Sequence, residues 1–256
     1  MILLHRFIEE ENRWALAKRF FNYRTPIGYK LVKYKYRHMP NVVFIWIPKT
    51  AGTSIFSWLN QNIDMVKLKK MKDIETFRNA GPVTFGHYNY SLLLKEGFIS
   101  KYFDKDAYKF CISRNPFDRA VSLYYYLSKI KRFQTDNKTF EFARFLSSIH
   151  EDRCPVGLYH TRNLSQCNPQ IDWITNASGD IIVDEVFRFE ELETFRASIS
   201  ERFNLNIEKS IPRENRSERR EELEILLRQS SENIPLIKTI YCEDFERLGY
   251  DINEYD

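Results

Sequence analysis

Glycine is scarce in this chain, with eight among 256 residues, or about 3%, against roughly 7% in an average protein. That excludes a collagen-like repeat or a glycine-rich flexible polymer, and it makes the position of each glycine informative. Cysteine is scarce as well. The four, Cys111, Cys154, Cys167 and Cys242, contain no CxxC pair, which argues against a zinc knuckle. Cys111 lies in an apolar run and reads as a small core residue. Cys154 and Cys167 flank a loop-like stretch; they would pair in an oxidising compartment, whereas base rates favour thiols in a reducing one. No apolar run approaches the ~20 residues of a membrane span. The opening MILL is too short for a signal-peptide core, and Glu9 to Glu11 follow it. A soluble, cytoplasmic protein is the expectation.

A strong charge of one sign is also missing. Lys and Arg number 39 against 35 Asp and Glu, a net +4. A dedicated nucleic-acid module shows a larger and more clustered excess, so no nucleic-acid partner is expected. What excess exists is local. Residues 1–40 carry nine Lys or Arg and three Glu, leaving residues 41–256 slightly acidic at −2.

Aromatic residues are present in force, at 15%, with 43% hydrophobic residues overall. A disordered chain is poor in both. The length fits one large α/β domain or two small ones. Residues 1–40 read as a basic helical extension ending at Pro40, and residues 41–256 as a single domain. Val42 to Ile47 is a continuous apolar run rich in β-branched and aromatic residues and stopped by Pro48, the pattern of a buried central strand. Ser54 to Asn62 follows as a helix. Further strands are expected at Val83–Gly86, Tyr108–Ser113 and Ile181–Phe189. Helices are expected at Phe117–Phe133, with Phe117, Val121, Tyr124 and Leu127 on one face, and at Phe140–Ile149 and Glu190–Phe203. Another should begin behind a Ser217 cap with Glu221 near the capping-box position, and Pro235–Leu248 should close the chain. Cys154 to Gly179 reads as an irregular insertion. Strands alternating with helices predict a three-layer α/β fold, a central parallel sheet flanked by helices.

The most informative stretch is Ile47-Pro48-Lys49-Thr50-Ala51-Gly52-Thr53-Ser54, between a strand and a helix. Such a junction aims backbone N–H groups and the positive end of a helix dipole at one point. Small residues at 50–54 let an anion approach, with Gly52 leaving the most room. Lys49 adds a mobile charge, and Thr53 and Ser54 add hydroxyls. This is a cradle for a phosphate or sulfate group. It is not a Walker A loop, which needs Lys directly after its second glycine.

Two more elements end strands in the same way. Arg114, in Ser113-Arg114-Asn115-Pro116-Phe117-Asp118-Arg119, sits at the ligand-binding edge of an open α/β sheet. Taken alone it is a ligand for an anion or half of a salt bridge. Ser122 lies on the following helix, where strand-to-helix reversal brings it back toward Arg114; a guanidinium plus a hydroxyl suits a phosphate monoester. Asp118 and Arg119 read as helix N-terminal charge and a surface pair. His87, after Gly86, is the one histidine of five placed at the end of a core strand. Its chemistry suits a general base for a hydroxyl at neutral pH.

Together these motifs resemble the sulfotransferases that use 3′-phosphoadenosine 5′-phosphosulfate (PAPS), in the carbohydrate branch that includes the heparan sulfate 2-O-sulfotransferases. Phe44 to Ser54 is similar to that family's 5′-phosphosulfate loop, Arg114 to Tyr124 to its 3′-phosphate motif, and Gly86-His87 to its catalytic-base position. The similarity runs from about residue 42 to 250. It implies a P-loop-like fold and in-line transfer of a sulfuryl group from PAPS to a carbohydrate hydroxyl, releasing PAP. It assigns Lys49 to charge on the bridging oxygen, His87 to the acceptor proton, residues 49–54 to the 5′-phosphosulfate, and Arg114 and Ser122 to the 3′-phosphate; Arg216 is added there, with a surface charge as its alternative. No metal is implied, because a sulfuryl group carries less charge than a phosphoryl group. Tyr88, Tyr90 and Trp173 are candidates to line a sugar cleft, with core packing as their alternative. Competing readings are an atypical P-loop nucleotide kinase and a non-catalytic PAP- or nucleotide-binding protein. Residues 1–40 are candidates for peripheral contact with a membrane or an anionic glycan.

Overall fold

Successive residues of Val42–Ile47 enter two different cores. Val43, Ile45 and Ile47 join one cluster, with Val83, Phe85, Cys111 and Trp173; Val42, Phe44 and Trp46 join another, with Trp58, Leu59, Phe110 and Phe195. A strand with both faces buried reads as an unbroken apolar run, because alternate side chains point to opposite faces. The computed structural model of the chain describes residues 22–129, 138–151, 164–205, 211 and 220–256.

In chain order the elements are α1 (Pro26–Lys35), β1 (Val42–Ile45), α2 (Gly52–Ile63), β2 (Val66–Lys67), α3 (Met71–Glu75), β3 (Pro82–Thr84), α4 (Tyr90–Lys95), α5 (Lys101–Asp106), β4 (Tyr108–Ser113), α6 (Pro116–Lys129), α7 (Lys138–Glu151), β5 (Glu185–Arg188), α8 (Leu192–Arg202), α9 (Arg220–Arg228), α10 (Asn233–Ile240) and α11 (Cys242–Leu248). The five strands form one sheet in the order β2-β3-β1-β4-β5, and every pairing is parallel. Helices cover both faces, giving the three-layer α/β fold expected. A third apolar cluster joins α6, α7, α9, α10 and α11 through Phe117, Tyr124, Phe145, Leu227, Ile237 and Phe245.

Local chemistry sets the elements that matter for the site. The α6 helix opens at Pro116, whose missing N–H costs nothing there, while Asn115 Oδ1 accepts from Phe117 N–H (2.9 Å) in the manner of an N-cap. Phe117, Val121, Tyr124 and Leu127 are all buried, as their spacing predicts. The α1 helix is capped by Thr25 Oγ1, which accepts from Gly28 N–H. Its Tyr29 is buried in the core beside β1.

Several boundaries differ from the sequence expectation. Strand β1 stops at Ile45 rather than Ile47, and β5 spans only Glu185–Arg188, with Ile181 in an isolated bridge to Thr175. The expected helix 190–203 begins as a 3-10 turn over Phe189–Glu191. The expected final helix is two, α10 and α11, broken at Tyr241 (φ −115°, ψ 25°). There the Tyr241 ring is buried and its hydroxyl donates to the Cys167 carbonyl, a long-range bond that periodicity cannot reveal. Ser217, Arg216 and Cys154 lie outside the described residues. Among the described residues, no helix is long and apolar enough to cross a membrane.

Candidate active site

The strand order creates the site. From β1 the chain runs outward to β2 and back to β3 on one side; from β4 it runs to β5 on the other. The connections leaving the carboxyl ends of β1 and β4 therefore diverge, opening a crevice between adjacent strands. Ile45 pairs with Cys111, so the segment from Trp46 to Ala51 and the segment from Ser113 to Asn115 emerge side by side.

The first loop is tightly wound. Lys49 (φ 69°) and Ala51 (φ 64°) are both left-handed without being glycine, an uncommon conformation that a loop must be built to hold. Thr50 Oγ1 donates to the Ile47 carbonyl (3.0 Å) and is fully buried. Its side chain braces the loop and does not line the cavity described below. Ala51 is the N-cap of α2 and, as an alanine, offers no side-chain oxygen to the amides of the first helical turn. Gly52 has a specific cause: a Cβ there would lie 1.8 Å from Trp46 Nε1. The Trp46 indole packs against Gly52 where a side chain would stand, and both residues line the cavity described below.

Lys49 Nζ lies 4.5 Å from the centre of the Tyr126 ring. Burial, with Arg114 and then Lys129 adding repulsion, lowers its pKa to about 8. Arg114 is likewise cationic and enclosed. Its guanidinium lies 4.5 Å from the centre of the Phe189 ring, and Nη1 makes one long bond, 3.4 Å, to the Lys49 carbonyl. Nε is buried with no hydrogen-bond partner among the described residues. Burial lowers the Arg114 pKa, against Asp118 and Glu190, which favour its charge. Two confined cations that repel each other, one with an orphaned buried N–H, form a site that an anion would complete.

The Arg114 backbone is clamped. Its N–H donates to Gln170 Oε1, and Gln170 Nε2 donates back to its carbonyl, both at 2.8 Å. Gln170 is held in turn by the buried Asp244 of α11, which accepts from the Gln170 and Ile171 amides at 2.9 Å. Arg119 is not the surface residue that the sequence suggests. It is 1% exposed. Nε donates to the Pro48 carbonyl (3.1 Å), and Nη2 donates to the carbonyls of Gln166 (2.8 Å) and Asn168 (3.0 Å). A charge read locally looks solvated; here distant carbonyls surround it.

His87 follows β3. Gly86 adopts φ 59° and nothing lies closer than 3.9 Å to a Cβ built on it, so this glycine serves the turn and not a close approach. His87 Nδ1 lies 3.1 Å from the Trp46 carbonyl oxygen. A carbonyl only accepts, so the neutral ring carries its proton on Nδ1 and its lone pair on Nε2. The edges of Trp46 and Trp173 flank the ring at 5.6 and 6.2 Å between centroids. Burial, with smaller contributions from Lys67 and Lys49, lowers the His87 pKa to about 4, against the bond to Trp46. Lys67 is a cation the sequence did not flag. Its Nζ sits 3.5 Å from the Trp46 ring centre.

Lys49, Ala51, Gly52, Thr53, Ser54, His87, Arg114 and Ser122 line one cavity of about 460 Å³, with Trp46, Tyr126, Gln166, Phe189 and Glu190 among its other walls. Of the expected site residues, Thr50 turns its side chain inward to the Ile47 carbonyl, and Arg216 is not among those described. Tyr126 was missed, although it lies four residues beyond Ser122, one helical turn. Gln166 gave no sequence signal. Tyr90 and Trp173, candidates for a sugar cleft, are fully buried core residues.

A model of the sulfotransferase family matches residues 33–251. The chain belongs to that family. The match covers every strand and the whole cavity of this sulfotransferase. Among solved structures, the crystal structure of a sulfotransferase from Alicyclobacillus acidocaldarius is similar, with 14% identity and a TM-score of 0.45 over 78% of this chain and 94% of that one. No curated protein matches.

Proposed function

We propose that this sulfotransferase moves a sulfuryl group from PAPS to a hydroxyl of a carbohydrate acceptor by in-line displacement. The observation that carries the reading is the convergence of Lys49, His87, Arg114 and Ser122 on one cavity. The first turn of α2 and Lys49 would hold the 5′-phosphosulfate. Arg114 and Ser122 would hold the 3′-phosphate and set the register of the donor. The orphaned Nε of Arg114 and the mutual repulsion of Lys49 and Arg114 favour an anion there.

In the transfer, the acceptor oxygen forms a bond to sulfur as the bond from sulfur to the 5′-phosphate oxygen breaks. The bridging electron pair leaves with PAP. The acceptor proton passes to His87 Nε2, whose lone pair is set by the Nδ1 bond to Trp46. Lys49 meets the charge that grows on the leaving oxygen, a preorganised electrostatic role. The carbohydrate class rests on the motif resemblance to carbohydrate sulfotransferases.

Thermal shift with PAP, ATP and Mg-ATP tests the donor. Stabilisation by PAP alone supports the reading, whereas a shift with Mg-ATP and none with PAP would overturn it in favour of a kinase. A glycan screen with labelled PAPS tests the acceptor; label transferred only to phenols or to protein would remove the carbohydrate assignment.

A further inference from the structure

Helix α1 places an apolar stripe in solvent. Ile27, Leu31 and Tyr34 are 54%, 49% and 68% exposed, and they are three of the six large hydrophobic residues exposed among those described. Their spacing of i, i+4 and i+7 puts them within about 60° of arc on a 3.6-residue helix. On the same wheel Lys30 borders the stripe on one side and Lys35 on the other, and both are exposed. Tyr29, on the opposite side, is buried and bonds Asp106 and Asn41 through its hydroxyl. Residues 22–40 hold five Lys or Arg and no Asp or Glu. Only Lys33 of these forms an ion pair among the described residues, with Asp106.

We propose that α1 docks this protein on the surface of an anionic lipid bilayer, with Ile27, Leu31 and Tyr34 entering the headgroup boundary and Lys30, Lys35, Arg24 and Arg37 meeting lipid phosphates and carboxylates. The combination selects this occupant. A helix with an apolar stripe between rows of cations is the form that lies in a membrane interface. A polyanionic glycan would satisfy the cations but leave the stripe in water. A second copy of the chain would cover the stripe but bring two acid-free basic segments together.

The placement of α1 fits a membrane-bound enzyme. Among its contacts are Asp106 and Asn41 through Tyr29, and Arg78 through Tyr36 just past its last turn. These three partners precede β4, β1 and β3, at the amino ends of the strands, whereas the cavity opens at their carboxyl ends. Docking through α1 keeps the cavity at the far end of the sheet from the lipid, so a water-borne acceptor retains access.

The test is co-sedimentation of the full chain with phosphatidylcholine vesicles, with and without phosphatidylserine. Binding is expected only with phosphatidylserine and should weaken as salt rises. The double variant Ile27→Ser/Leu31→Ser should lose at least about tenfold in partition through lost apolar burial, and Lys30→Ala or Lys35→Ala about fivefold each. Melting temperature and sulfate transfer in solution should be unchanged in all three. Absence of vesicle binding by the parent chain at low salt overturns the proposal. So does binding that survives Ile27→Ser/Leu31→Ser, or a solution dimer that Leu31→Ser dissociates. Retention on a sulfated-glycan column without vesicle binding would assign the cations to a glycan instead.

Discussion

Arg119 Nε donates to the carbonyl of Pro48 across 3.1 Å, tying the helix that carries Ser122 to the loop that carries Lys49. The same guanidinium reaches the carbonyls of Gln166 and Asn168, so three chain segments share one buried cation. Replacing Arg119 with Met leaves those carbonyls buried without their donor. A loss of about 3 kcal/mol is expected, since each stranded buried acceptor costs roughly 1–3 kcal/mol. Urea unfolding measures it. PAP titration of the folded variant should show weakened binding, because Lys49 is no longer fixed relative to Ser122. Arg119→Lys keeps the charge but cannot span all three carbonyls, and should fall between parent and Met.

Gly52 and Trp46 make a second coupled pair. A methyl at residue 52 would strike the indole, not a flexible chain end, and that indole is hemmed in by Phe44 and Phe56. Gly52→Ala should cost about 1–3 kcal/mol as an overpacked site and should weaken PAP binding by displacing the first turn of α2. Trp46→Phe in the same chain removes the struck atoms. Part of the loss should return, as a coupling of more than about 0.5 kcal/mol in a double-mutant cycle. Strict additivity would show that the clash is relieved elsewhere.

The parts of the site that were legible in the sequence are those built from local pattern. The apolar run ending at Pro48, the small residues to Ser54, and the strand and helix around Arg114 each announce themselves within a dozen residues. The two-residue β2 and the short helices α3 to α5 carry too little pattern to be read. Arg119, Gln170 and Asp244 were invisible for a different reason. Their partners lie 47 to 74 residues away in sequence, so a polar residue that holds the site together reads as surface. The packing demand on Gly52 was not legible either: the neighbour that requires a glycine there, Trp46, is six residues back and becomes close only when the loop folds.

His87 offers a separation of binding from chemistry. Its bond to the Trp46 carbonyl orients the ring, and removing the ring leaves Lys49, Arg114 and Ser122 in place. His87→Ala should lower the rate of sulfate transfer by about 10²–10⁴, the usual range for a lost general base, while PAP binding is retained. Stopped sulfate transfer with labelled PAPS and calorimetry with PAP give the two readouts. Full transfer activity in His87→Ala would remove the base assignment.

Lys49 should leave a signature in pH. Its pKa is lowered to about 8 by burial and by Arg114, so in the free enzyme it loses its proton as pH rises through about 8, far below an ordinary lysine. The kcat/KM for PAPS reports the free enzyme and should fall above that pH. The bound donor is anionic and favours the ammonium, so the alkaline limb of kcat should lie at higher pH than that of kcat/KM. Lys49→Arg keeps its charge throughout and should lose the alkaline limb, whatever its absolute rate. On the acid side, His87 is held neutral down to about pH 4. Its acid limb in kcat/KM should therefore lie well below the 6.5 of a free imidazole, and bound donor should move it upward in kcat by offsetting the fields of Lys67 and Lys49. An alkaline limb that persists unchanged in Lys49→Arg would show that another group sets it.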